Sequence, residues 1–78
     1  MEETKKLTIQ DIEKIWTEFV KRADQAEQYQ FPMIAYYHMR MEPLVKDLMI
    51  NWDDHHADIF IQYMSMVYKR LGWEATDV

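Results

Sequence analysis

The densest group of side chains that could do chemistry lies between Asp53 and Asp58. It contains three aspartates and two histidines, in the order Asp53, Asp54, His55, His56 and Asp58. Asp53 and His56 are three residues apart, a spacing by which one helix face can present a carboxylate and an imidazole to a metal ion. Asp53, His55 and His56 are therefore candidate metal ligands.

A metal site nevertheless has weak support in the sequence. Helical metal bundles take ligands from several helices that all point inward, and the first predicted helix has no histidine. A second pair, His38 and Glu42, has helical spacing, but His38 lies at the margin of its apolar stripe. Carboxylates that cap a helix explain the aspartates more simply, because they suit the positive end of the helix dipole. We predict no cofactor.

Other catalytic arrangements also find little support. The chain has no cysteine, and its only serine, Ser65, has no histidine on a neighbouring helical turn to act as a base. With a single glycine, the chain has no phosphate-binding loop. We expect a protein that is not an enzyme.

Composition limits the partners and the location. The 78 residues suit one domain, and the 14 acidic against 9 basic residues argue against direct binding to nucleic acid. Apolar runs are far shorter than the ~20 residues that span a bilayer, and residues 1–8 lack the apolar run of a signal peptide. We predict a cytoplasmic protein without membrane contact, formed by residues 1–78, with frayed tails at 1–7 and 74–78.

Two of the three predicted helices have clear ends. Thr8 is a good N-cap, and apolar residues recur at helical spacing from 9 to 29. The third helix, 54–71, begins after capping aspartates and ends at Gly72, which favours a left-handed stop. Trp73 is expected to fold back onto the end of that helix.

The second predicted helix, 32–51, contains an internal proline. Pro32 suits a helix start, but Pro43 must either kink the helix or break it. The apolar residues keep one phase across Pro43, which favours a kinked continuous helix. The predicted fold is an all-α antiparallel three-helix bundle. Its predicted core comprises Ile12, Trp16, Phe19, Val20, Tyr37, Met41, Leu44, Leu48, Phe60, Ile61, Met64, Val67 and Leu71.

Apolar residues outside this core indicate a surface for a partner. On the third helix, Ile59, Tyr63 and Met66 form a line nearly opposite the core stripe, which would face water in a monomer. On the second helix, Tyr36, Met39 and Ile50 fall outside the main apolar arc. Aligned apolar residues of these types are typical of protein interfaces. We predict a protein-binding regulator of the inhibitor or adaptor kind, with an unidentified protein partner, that forms a homodimer.

Two alternatives remain open. In the first, the protein inhibits a nucleic-acid-binding protein through an acidic patch that imitates DNA, formed by Asp47, Asp53, Asp54 and Asp58. The histidine and carboxylate cluster would instead make the protein a metal-binding helical bundle.

Overall fold

The computed structural model describes residues 7–73, which form three α-helices. Helix α1 spans Ile9–Asp24, α2 spans Phe31–Ile50 and α3 spans Asp54–Leu71. A 3₁₀ turn, Gln28–Gln30, leads directly into α2. No strand occurs among residues 7–73, and no helix there is long and apolar enough to cross a membrane. The predicted all-α class is confirmed.

The first helix ends earlier than predicted. We expected it to reach residue 29, but α1 ends at Asp24, and Glu27 is extended with φ −69° and ψ 146°. Glutamine, alanine and glutamate are good helix formers, so local propensity favours a longer helix. The segment has little apolar surface to bury, however, and Tyr29 is 79% exposed. Packing therefore decides the end of α1.

The start of α1 follows the predicted cap. The Thr8 hydroxyl accepts a hydrogen bond from the Asp11 N–H, and the Asp11 carboxylate accepts one from the Thr8 N–H at 3.0 Å. Leu7, which we placed in the frayed tail, is half-buried and packs against the core. An apolar residue just before an N-cap can pack onto the first turn, which explains its order. Predictions for residues 1–6 and 74–78 lie outside the described residues.

The end of α3 also has the predicted geometry. Gly72 has a φ of 75°, and its N–H donates to the Lys69 carbonyl at 3.1 Å. The Trp73 N–H donates to the Tyr68 carbonyl at 2.9 Å, which completes a Schellman motif. The rings of Trp73 and Tyr68 meet edge to face, with centroids 5.3 Å apart. Trp73 therefore folds back onto α3 as expected.

Helix α2 continues through Pro43, so the prediction of a continuous helix is confirmed and the alternative of two short helices is wrong. A kink at Pro43 stays a prediction. Pro43 is exposed. The Met39 carbonyl, which would accept from an amide at this position, can therefore turn toward water.

Helix α2 packs against both other helices. The Gln30 side chain reaches Leu71 at the end of α3, and the Tyr37 ring lies 6.2 Å from the Tyr63 ring in the middle. These contacts show that α2 and α3 run antiparallel. Since α2 is the shared neighbour, it is the central element.

The buried core agrees with most of the predicted residues. It comprises Ile12, Phe19, Ile34, Tyr37, Met41, Val45, Leu48, Ala57, Phe60, Met64, Val67 and Leu71. The predicted residues that only flank it, partly buried, are Trp16, Leu44 and Ile61. Val20, also predicted, is 36% exposed. It lies about 100° around α1 from Phe19, on the same side of the helix as Ile9, which is about three turns away and 40% exposed. The apolar arc of α1 is thus wider than the surface that the other helices cover.

Candidate protein-binding surface

Five residues form an apolar stripe along the side of α2 that faces away from the core. Pro32, Tyr36, Met39, Pro43 and Ile50 fall within an arc of about 60° at 3.6 residues per turn. Tyr36 is 53% exposed, Met39 70% and Ile50 84%, and both prolines are exposed. We call these five residues the outer stripe.

The outer stripe lies opposite the core face of the same helix. Ile34, Met41 and Leu48 occupy that core face, and none is more than 6% exposed. Helix α2 therefore has two apolar faces, of which the protein itself covers one. Single exposed apolar residues are ordinary, whereas an aligned set of them along one side of a helix is typical of surfaces that meet a partner.

A shallow groove between α1 and α2 extends this surface to one side. Met39 belongs to both the outer stripe and the groove, whose lining comprises Ala23, Asp24, Phe31, Ile34, Ala35, His38 and Met39. Phe31, on the groove wall, is 44% exposed. The apolar surface is therefore wider than the stripe alone near the N-terminal half of α2.

The apolar line predicted on α3 is less exposed than the sequence indicates. Ile59 is 40% exposed, but Tyr63 and Met66 are half-buried and pack against the core. The expectation that the whole line faces water is wrong for these two, because Tyr63 lies on the flank of α3 next to α2. Its ring meets Tyr37 edge-on, with an interplanar angle of 88°.

Aromatic contacts connect the outer stripe to α3. The Tyr36 ring lies 5.5 Å from the ring of Tyr37, which in turn contacts Tyr63. The Arg40 guanidinium lies over Tyr36, 5.6 Å from the ring centroid. Tyr36 thus contacts Tyr37 and Arg40, while 53% of it stays exposed.

The Asp and His cluster is the start of α3. Asp53 is the N-cap, and its carboxylate accepts hydrogen bonds from the N–H groups of His55 at 2.8 Å and His56 at 3.4 Å. Its other oxygen lies 3.3 Å from Nδ1 of His56. The His55 N–H has the largest effect and lowers the pKa of Asp53 below its ordinary value, with smaller lowering effects from His56. The prediction that an aspartate caps α3 is confirmed.

The predicted metal ligands are only partly brought together. Asp53 and His56 are in contact, while the rings of His55 and His56 have centroids 6.0 Å apart. Across residues 7–73, no three His, Asp or Glu side chains converge as a metal ion would require. His38 packs its ring 5.0 Å from Trp16, between α1 and α2. Asp53, His56 and His38 therefore each contact another side chain of the protein.

The acidic residues considered as a DNA-like patch are all exposed: Asp47, Asp53, Asp54 and Asp58. Asp54 accepts a hydrogen bond from Nε1 of Trp52 at 2.8 Å, and Asp53 caps the helix. Asp47 lies on α2 instead, beside the outer stripe. Two of the four carboxylates thus hold the turn between α2 and α3.

Sequence reasoning missed two members of the outer stripe and one long-range contact. Pro32 and Pro43 belong to the outer stripe, and their place on the helical wheel was available from the sequence. Gln30 donates from Nε2 to the Leu71 carbonyl at 2.8 Å, across 41 residues. Nothing in the sequence indicates that a polar residue in a connecting segment will form such a long-range bond.

Comparisons of this chain with protein-family models, curated proteins and solved structures found no match.

Proposed function

We infer that this protein is a small non-enzymatic regulator that binds another protein surface through the outer stripe of α2. The observation that carries this proposal is the exposure of Tyr36, Met39 and Ile50 along one side of the central helix. Ordinary folding would leave polar residues there, because that side faces away from the core. An inhibitor or adaptor needs such a surface and no catalytic groups.

The residue types of the outer stripe support binding to protein. Methionine adapts its shape to a partner, and tyrosine adds a large apolar ring with a polar tip. Both are enriched at protein interfaces, where the rim is polar. Residues of mixed charge border the outer stripe on both sides, which resembles such a rim.

A site-specific photo-crosslinker tests the proposal in the cells that naturally contain the protein. We expect protein adducts when the crosslinking residue replaces Met39 or Ile50, which are 70% and 84% exposed. Thr17, exposed on the polar side of α1, is the matched control. Circular dichroism confirms that each variant remains helical.

The same crosslinking experiment can also contradict the proposal. If the Met39 and Ile50 positions give no more adduct than the Thr17 position, then the outer stripe is not a binding surface. Adding Met39→Glu to the variant that carries the crosslinker at Ile50 should remove the adduct, because a charge on the stripe cannot be buried without a partner.

A further inference from the structure

The four charged residues of α2 border the outer stripe, two on each side. Arg40 and Asp47 lie two turns apart on one flank, and Glu42 and Lys46 lie one turn apart on the other. Each flank carries one acid and one base, so this face is neutral, although the chain has a net charge of −5. A neutral, balanced face lets two acidic molecules meet without like charges opposed at the contact.

The order of these charges fits a pairing of α2 with itself. A two-fold axis perpendicular to the helix sets each flank against the same flank of a second copy. Each residue of one copy then meets the residue of the second copy that lies at the same distance from the axis but on the opposite side of it along the sequence. Three complementary pairs have midpoints within one residue of each other, between Pro43 and Leu44: Arg40 with Asp47, Glu42 with Lys46, and Tyr36 with Ile50.

We propose that the outer stripe binds the outer stripe of a second copy, antiparallel, about a two-fold axis near Pro43. This rests on the proposed function, since it names the partner of the same surface. Ile50 of the second copy covers Tyr36 and the edge of the groove beside Met39. The side chains all lean toward the N-terminus of their own helix, which shifts every pair alike and keeps the pairing.

A parallel pairing of the same two stripes brings different residues together. An axis along the helices sets each flank against the other flank of the second copy, so Arg40 would lie near Glu42 and Asp47 near Lys46. Reversing both Arg40 and Asp47 would then oppose like charges, whereas in the antiparallel pairing it rebuilds the ion pairs. The double reversal and cysteine cross-links therefore distinguish the two directions.

The pair formed by Arg40 and Asp47 gives the sharper test. Seven residues of helix separate them by about 10 Å along the axis, too far for an ion pair within one helix when both side chains lean the same way. Glu42 and Lys46 are four residues apart and can pair within one copy. Only the first pair depends on the second copy.

Sedimentation equilibrium of charge reversals measures this pair. We expect the purified chain to form a dimer of twice its 9.6 kDa mass. Arg40→Asp and Asp47→Arg should each raise the dissociation constant about tenfold or more. The double reversal should return it to within about threefold of the original, because both ion pairs are rebuilt. Lys21→Asp, on the exposed side of α1, is the control and should leave it unchanged.

Cysteine cross-linking determines the direction of the pairing, and the chain has no cysteine of its own. Pro43→Cys should cross-link to itself through a short bifunctional maleimide. Ile50→Cys alone should not, because its two copies lie about 20 Å apart along the helices. A mixture of Tyr36→Cys and Ile50→Cys chains should cross-link. Self-linking of Ile50→Cys with no linking in the mixture would overturn the antiparallel pairing.

Failure of self-pairing can be separated from failure of the proposed function. A chain that stays monomeric at the highest soluble concentration overturns the pairing, as does a double reversal that is no tighter than the single ones. If photo-adducts at Met39 and Ile50 then contain a different protein, the outer stripe still binds protein. If those positions give no adduct either, both proposals fall.

Discussion

The hydrogen bond from Gln30 to α3 allows a prediction about stability. Nε2 of Gln30 donates to the Leu71 carbonyl at 2.8 Å in a partly buried setting. The last four carbonyls of a helix have no partner within it. The Schellman motif satisfies two of them, those of Tyr68 and Lys69. Gln30 therefore supplies a partner that the cap of α3 does not provide.

Replacing Gln30 with Ala should lower the free energy of unfolding by about 1 kcal/mol, the net contribution of a typical hydrogen bond. The loss should stay near this value because water can reach a partly buried carbonyl. Gln28, in the same 3₁₀ turn and exposed, is the control, and Gln28→Ala should change little. With a urea m-value of about 1 kcal/mol/M for a domain of this size, the midpoints should differ by about 1 M.

A charged replacement at Gln30 tests the same contact by its pH dependence. In Gln30→Glu the ionised carboxylate cannot donate a proton and meets the negative end of α3, so the loss should exceed that of Gln30→Ala at neutral pH. Both effects raise the pKa of the new carboxyl in the folded state. The folded state then binds more protons than the unfolded state, so stability relative to the original chain rises as pH falls.

Urea unfolding followed by tryptophan fluorescence, at one fixed protein concentration, measures all of these variants. If Gln30→Ala and Gln28→Ala have the same midpoint, then the contact with Leu71 does not stabilise the fold. Gln30 would then not act as a cap for α3, whatever the result for Gln30→Glu.

Three further predictions use the same assay. Gly72→Ala should cost about 1 kcal/mol, since φ is 75° and no atom lies within 4 Å of an added Cβ, so only the backbone is strained; Gly72→Asn should cost less. The Asp53 carboxyl has a lowered pKa in the folded state, so its contribution is present above about pH 4 and lost as pH falls further, and Asp53→Asn should reduce this loss. Phe19→Ala should cost about 3–5 kcal/mol, whereas Val20→Ala, at a position 36% exposed, should cost less than about 1 kcal/mol; equal losses would contradict the observed core.

Helix ends that depend on local chemistry were predictable from the sequence. The caps at Thr8 and Asp53 and the stop at Gly72 each use a residue type whose side chain or backbone suits that one position. The end of α1 at Asp24 depends instead on packing, and the connecting segment that follows it is joined to α3 by the bond from Gln30 to Leu71, 41 residues away. Local propensity favours a longer helix there, and no sequence pattern reports the distant contact.

The core was predictable where an apolar arc is narrow and uncertain where it is wide. Val20 and Ile9 lie at the edge of the arc on α1, and the other helices do not extend far enough to cover them. On α3, Tyr63 was placed on the outside because it lies off the core stripe. It is instead half-buried because α2 lies against that flank and Tyr37 meets its ring.

The two apolar faces of α2 show what charge position adds to hydrophobic pattern. Periodicity alone places the larger apolar set in the core, as observed, but it does not indicate whether the smaller set on the other face meets water or a partner. On a solvated face, charges are interspersed with apolar residues; here Arg40, Glu42, Lys46 and Asp47 lie only beside the outer stripe. Protein interfaces have the same arrangement, with an apolar core and a polar or charged rim around it. The boundary charges therefore support the proposal that a partner covers the outer stripe, and their order along the helix fits a second copy as that partner.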